Sequence, residues 1–380
     1  MALCERCNDS PTVVVTPGGN PISMQTLCIP CAEKVCSQSC PTGPVVEYLS
    51  GPMSLTQHWS DEYGKMIYIF GEYHGEEDDC GDLQGAVEIQ NYLAELFETS
   101  DVFIDFYLEV SAYKGDGWSR EGLAGRGIHP DAENFYLSRL ITKFDACFQK
   151  ASRYIPACRN MRAHYVNIRQ VDGVPDTDIE KTIDLLIHVP YLNDRQANYL
   201  RTLLRRIQAY PDIATYLGAS LQSVTSSNKE ISKALRSVRG KISEFVMNKV
   251  LESFSGKVQA TIKRDIDYLA VIEGPFDDDA KPYADSLGRN LANVMVPLVD
   301  GYTLARIFRE FDIDKYPSVQ EETWTQPVEP RHVIIYAGEQ HALNCREFLS
   351  TLDFKEIDSA KSAINWRCLD MREFTQPLFG

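Results

Sequence analysis

Short apolar runs rich in β-branched and aromatic residues alternate with amphipathic stretches along most of this chain. Met66-Ile67-Tyr68-Ile69-Phe70 closes on Gly71, and His332-Val333-Ile334-Ile335-Tyr336-Ala337 closes on Gly338. Such runs read as buried strands that end abruptly. Between them the pattern predicts a helix over 83–98, a strand over 102–108 ending at Glu109, a helix over 131–150 and a strand over 164–168. Residues 111–129, rich in glycine and charge, read as a long loop. The β-α-β order implies parallel strands joined by a crossover helix. Residues 176–270 read as helix after helix, including 194–208 and 231–252, and form a helical insertion or cap that spans about 176–283. Gly274-Pro275-Phe276-Asp277 breaks that pattern. A helix resumes near Ala284, and Pro297 is expected to kink or end it before Gly301. A strand at 332–337, a helix at 342–351 and a short strand near 362–366 complete the expected sheet. The fold class is therefore α/β: a mostly parallel central sheet flanked by helices, occupying residues 45–380.

The pattern changes in the first forty-four residues. Thr12 to Thr16 and Ile22 to Leu27 flank a Pro-Gly-Gly-Asn-Pro tip, which predicts a hairpin. Cys4-x2-Cys7 and Cys28-x2-Cys31 sit at its two ends, with zinc-ribbon or treble-clef spacing. Four thiolates so spaced favour structural Zn2+ over harder cations. Cys36 and Cys40 are left as spare thiols, and Cys40-Pro41-Thr42-Gly43-Pro44 closes the module (residues 1–44). Six of the eleven cysteines lie in this stretch, which points to metal binding rather than a spread disulfide framework.

Composition is ordinary for a globular chain of 380 residues, at 44% apolar and 24% charged. The net charge of −16 makes nucleic-acid binding by the main domain unfavourable. No run reaches the roughly 18 apolar residues of a membrane helix, and the N-terminus lacks signal-peptide character. The expectation is a soluble protein of the cytoplasm, or of the host cytoplasm or virion if viral.

Chemistry concentrates where strands end. Gly71-Glu72-Tyr73-His74 and Gly338-Glu339-Gln340-His341 are two copies of Gly-Glu-x-His, each following a strand-like run. Carboxyl ends of strands line the crevice where open α/β sheets bind ligands. Histidine supplies a neutral metal ligand or an acid/base near neutrality, and glutamate a hard ligand or a base. Glu109, at a third strand end, reads equally as a cap or as a further acidic group. Arg289, on the helix before the last strand, is a candidate anion-orienting group. Arg162, His164 and Arg169 form a secondary cluster, and Asp105, inside a strand, either needs a structural hydrogen bond or faces out.

The paired Gly-x-x-His motifs, the strand ending in Glu109 and the Arg289-Asn290 helix ending in Met295 resemble, in order, the TIKI/TraB superfamily. That group takes in the erythromycin esterases and ChaN-like proteins. Tyr302 to Arg309, with Ile335-Tyr336-Ala337-Gly338, resembles uncharacterised members from large DNA viruses. The likeness covers roughly 65–175 and 284–350. It implies a hydrolase-like centre, esterase or peptidase in type, with His74 and His341 as a central pair able to hold a divalent metal. Glu72, Glu109 and Glu339 would be acid/base groups or ligands, and Arg289 would steady an oxyanion. The Arg-Asn-x-x-x-x-Met spacing departs from the shorter family pattern, which weakens the case for Arg289. The substrate expected is a small molecule or peptide. The rival expectation is a non-catalytic scaffold or virion protein that docks a protein partner through the zinc module. A likeness of Gly71-Glu72-Tyr73-His74-Gly75 to metallophosphoesterases fails, because no Gly-Asn-His-Asp/Glu follows.

Overall fold

The computed structural model describes residues 12–14, 26–28, 43–73, 79–111, 136–144, 147, 156–167, 177–210, 215, 233–253, 256–311, 326–362 and 367–379. At the N-terminus, β1 (Thr12–Val14) pairs antiparallel with β2 (Thr26–Cys28), as a hairpin requires. Cys4, Cys7, Cys31, Cys36 and Cys40 lie outside the described residues, and of Cys28 only the backbone is described.

The main sheet has six strands, mostly parallel, with helices on both faces. Its members are β4 (Ser54–Ser60), β5 (Lys65–Glu72), β7 (Ile104–Ser111), β8 (Met161–Asn167), β9 (His332–Gly338) and β10 (Lys355–Lys361). Their order is β10-β4-β5-β9-β7-β8. β5, β9, β7 and β8 run parallel, while β4 turns back against β5 and β10 pairs antiparallel on the outer edge. A smaller sheet joins β11 (Cys368–Asp370), β3 (Tyr48–Ser50) and β6 (Ala86–Glu88).

Side chains alternate across the sheet and feed two cores. Ile67, Ile69, Tyr107, Val333 and Ile335 face one core. It is filled by α4 (Thr177–Ile187), α5 (Asp194–Gln208), α6 (Lys233–Ser253), α7 (Gly256–Val271), α8 (Lys281–Ile307) and α9 (Glu339–Thr351). Tyr68, Phe70, Phe106, Ile334 and Tyr336 face the other, packing on α1 (Ile89–Thr99), α2 (Tyr136–Phe144) and the C-terminal segment. A single turn, α3 (Pro156–Arg159), precedes β8. The expected run of helices after residue 176 is thus present, and it covers one face of the sheet. No helix among the described residues is long and apolar enough to cross a membrane.

Three expectations need correction. The helix expected from Leu83 starts at Ile89, because Ala86–Glu88 is taken up as a strand beside β3. Pro297 neither ends nor interrupts its helix, since α8 runs unbroken from Lys281 to Ile307. One missing backbone donor is outweighed there by the burial of Leu291, Met295, Leu298, Val299 and Leu304 along the same helix. Gly71 and Glu72, beyond the expected end of the strand at Phe70, are still paired within β5. The strand expected near 362–366 falls largely outside the described residues. β10 and β11 flank that stretch, with Ser362 bridged to Leu369.

Candidate active site at the carboxyl end of the sheet

β9, the last parallel strand in sequence, inserts between β5 and β7, so the two Gly-Glu-x-His copies sit on adjacent strands. The register pairs Gly71 with Ala337 and Glu72 with Gly338. The motifs are therefore neighbours, offset by one residue. Tyr73 is exposed, and His74 lies outside the described residues.

The second copy changes structure at its glycine. Gly338 ends β9 and Glu339 opens α9, so His341 is the third residue of the helix. The first N–H groups of a helix have no partner within it. Glu109 supplies one, its Oε2 accepting from the Gly338 N–H at 2.7 Å. A carboxylate is favoured at that end of the helix dipole. The other oxygen, Oε1, stands 3.1 Å from His341 Nε2. On the far side of the ring, Nδ1 lies 2.6 Å from Asp300 Oδ1, and Asp300 Oδ2 accepts from Asn344 Nδ2 at 2.6 Å. All four side chains are buried.

His341 is thus held by both ring nitrogens between two carboxylates. Burial alone would lower its pKa, but Glu109 and Asp300 outweigh burial and push it up to about 10. The ring is an imidazolium at neutral pH and donates in both directions. Burial raises the Asp300 carboxyl above its ordinary value, against the opposing pull of His341. Cys345, one turn further along α9, is buried beside Asp300, and burial raises its thiol well above the ordinary range. It is no ready nucleophile.

Glu339 is engaged elsewhere. Its Oε2 accepts from Ser54 Oγ at 2.5 Å, and its Oε1 pairs with Arg346 Nη1 at 3.0 Å. Arg346 also donates to Ser54 Oγ (2.7 Å), Thr56 Oγ1 (2.9 Å) and the Ile69 carbonyl (3.1 Å). The carboxylate fills the space where a Cβ on Gly71 would stand. Glycine in the first motif is therefore what lets the second motif's glutamate lie on the strand.

Glu72 is buried on the opposite face of the sheet, beside Tyr336, whose hydroxyl is shifted well upward by burial and by that carboxylate. Alternation along β5 separates it from Glu109 and Glu339. Arg289 is exposed on α8, eleven residues before Asp300 and roughly 16 Å away along the helix axis. Of the expected set, the structure brings together Glu109 and His341, with Glu339 on the same face. It leaves Glu72 and Arg289 apart. Asp300, Asn344, Ser54 and Arg346 were not anticipated. Asp300, a lone carboxylate after Val296-Pro297-Leu298-Val299 on a helix, carried a readable signal, because a buried charge needs a partner.

The secondary cluster forms at the other end of the sheet. Asp105 Oδ1 accepts from Arg162 Nε (2.5 Å) and from His164 Nε2 (2.7 Å), as its place inside a strand required. Arg306 Nη2 donates to His164 Nδ1 at 2.9 Å, and the ring stacks between Tyr107 and Phe311. Burial, reinforced by Arg306 and Arg162, takes His164 down to about 3 despite the Asp105 hydrogen bond. Its ring is neutral, a buried structural histidine. Arg169 lies outside the described residues.

Among the described residues, no group of three or more His, Cys, Asp or Glu side chains is arranged to hold a metal ion. His341, with a carboxylate against each ring nitrogen, presents N–H groups to Glu109 and Asp300 rather than a free nitrogen lone pair. Comparisons with protein-family models, with curated proteins and with solved structures found no match to this chain.

Proposed function

We propose that the carboxyl end of the sheet is a hydrolytic centre, esterase or peptidase in type, built on Glu109, His341 and Asp300. The observation that carries this reading is a buried histidine ring held through both nitrogens between two carboxylates, at the end of neighbouring parallel strands. The likeness of the motif order to the TIKI/TraB superfamily supports it. Glu109 is the group that takes a proton from an attacking water, and His341 returns one to the leaving atom. Asp300 fixes the ring and stabilises its charge. A charged His341 is the acid of the pair, not its base.

Ester and peptide substrates, assayed with and without added Zn2+ or Mn2+, test the proposal. Glu109→Gln and His341→Asn should each lower turnover by about 10²–10⁴-fold, the usual contribution of a positioned acid or base. Undiminished hydrolysis in both variants would sink it.

The burial of the whole cluster favours a second reading, in which the same groups brace α8 and α9 against the sheet in a non-catalytic scaffold. On that reading the wild-type chain turns over none of the substrates, and His341→Asn costs only stability. Deleting residues 1–44 then abolishes partner capture, whereas an enzyme keeps its rate.

A further inference from the structure

The geometry points to Glu339, with Ser54 and Arg346, as the positioning assembly of this site. It locks the first turn of α9, and hence His341, onto the strand that carries the first motif. The inference rests on the reading that His341 is the reactive centre, but its contacts stand on their own.

Glu339 and His341 occupy the same helical turn, so whatever fixes one fixes the other. From the β4 and β5 side, Ser54 holds Glu339 at 2.5 Å. Two turns further along the helix, Arg346 ties the same carboxylate to Thr56 and to the Ile69 carbonyl. From the β7 side, Glu109 holds the Gly338 N–H at 2.7 Å. The start of α9 is therefore clamped from both flanks of β9. The clamp closes only because residue 71 has no side chain, since a Cβ there overlaps the Glu339 carboxylate and crowds Ser54 Oγ. The two Gly-Glu-x-His copies interlock, with the glycine of one seating the glutamate of the other. Glu339 shares its position in the motif with Glu72, yet its carboxylate is spent on the scaffold. Such placement matters because an error of about 1 Å in a reacting group can cost on the order of 10²-fold in rate.

A mutant cycle read by histidine NMR titration and thermal unfolding tests the interlock. Gly71→Ala and Glu339→Ala should each lower the His341 titration midpoint by more than about one unit, as expected when a close carboxylate contact loosens. The double variant should fall no further than the worse single, because both changes break one contact. Glu339→Gln, which keeps an acceptor for Ser54, should stay nearer the wild-type midpoint. Should Gly71→Ala fail to fold, Ser54→Ala removes one bond without adding bulk and should move the midpoint in the same direction. Additive shifts, or an unmoved His341 in Glu339→Ala and Ser54→Ala, would overturn the proposal. So would a Glu339→Gln variant with a wild-type His341 midpoint and a turnover loss as large as that of Glu109→Gln, which would make Glu339 catalytic. A wild-type chain without hydrolytic activity but with the coupled titration would sink the enzyme reading and leave the interlock standing.

Discussion

His341 and His164 are both buried histidines hydrogen-bonded to an aspartate, yet their protons behave oppositely. Around His341 the neighbours are two carboxylates, and its pKa rises to about 10. Around His164 one carboxylate is outweighed by burial and by Arg306 and Arg162, and its pKa falls to about 3. The signs follow by linkage. His341 binds its proton more tightly folded than unfolded, so its contribution is full below about pH 6.5 and is lost as pH rises toward 10. His164 binds its proton less tightly folded, so its contribution is full above about pH 6.5 and is lost as pH falls toward 3. Urea unfolding across pH should therefore peak near pH 6.5, each limb bounded by about 1.4 kcal/mol per pH unit per group. His341→Asn should flatten the alkaline limb and leave the acid limb in place. Removing one partner of a buried ion pair typically costs about 3–5 kcal/mol, and Asp300→Ala should approach that range in the same assay.

At the scale of elements, helix starts decide much of the geometry. α5 begins with a capping box in which the Asn193 side chain and the Gln196 backbone and side chain bond reciprocally. Asn193→Ala should lower stability by about 1 kcal/mol, measured as a shift in the denaturation midpoint. α9 lacks any such side-chain cap of its own, and Glu109 from a neighbouring strand takes that part. Sequence reading located α5 to the residue because its cap and its apolar spacing are local. It placed α9 three residues late, since the signal that starts α9 comes from elsewhere in the chain. Pro297 is the converse case: a local breaker was expected to kink or end the helix, and α8 instead runs on through it to Ile307.

For the molecule as a whole, the Cys80–Cys368 disulfide, which spans 288 residues, and the Asp79–Arg367 bridge tie the segment between β5 and β6 to the start of β11. A second disulfide, Cys147–Cys158, closes a short loop. The cysteine distribution had pointed to metal binding rather than a spread disulfide framework, and these two bonds correct that expectation for the main domain. A link across so long a loop restricts the unfolded chain strongly. Replacing Cys80 and Cys368 together by Ser should cost about 2–5 kcal/mol, seen as an earlier urea midpoint that reductant does not lower further by way of this bond. The hydrophobic pattern alone determined the α/β class, the helical run after residue 176 and the strand before each Gly-Glu-x-His, because periodicity and breakers act over a few residues. It also singled out Glu109 and His341. Only the tertiary structure decided that β9 enters between β5 and β7, that Asp300 and Glu109 close on His341 from opposite sides, and that Glu72 points to the other face. Strand order and side-chain facing depend on long-range pairing, for which a single chain carries no local mark. That pairing sets Gly71 of one motif against the Glu339 carboxylate of the other.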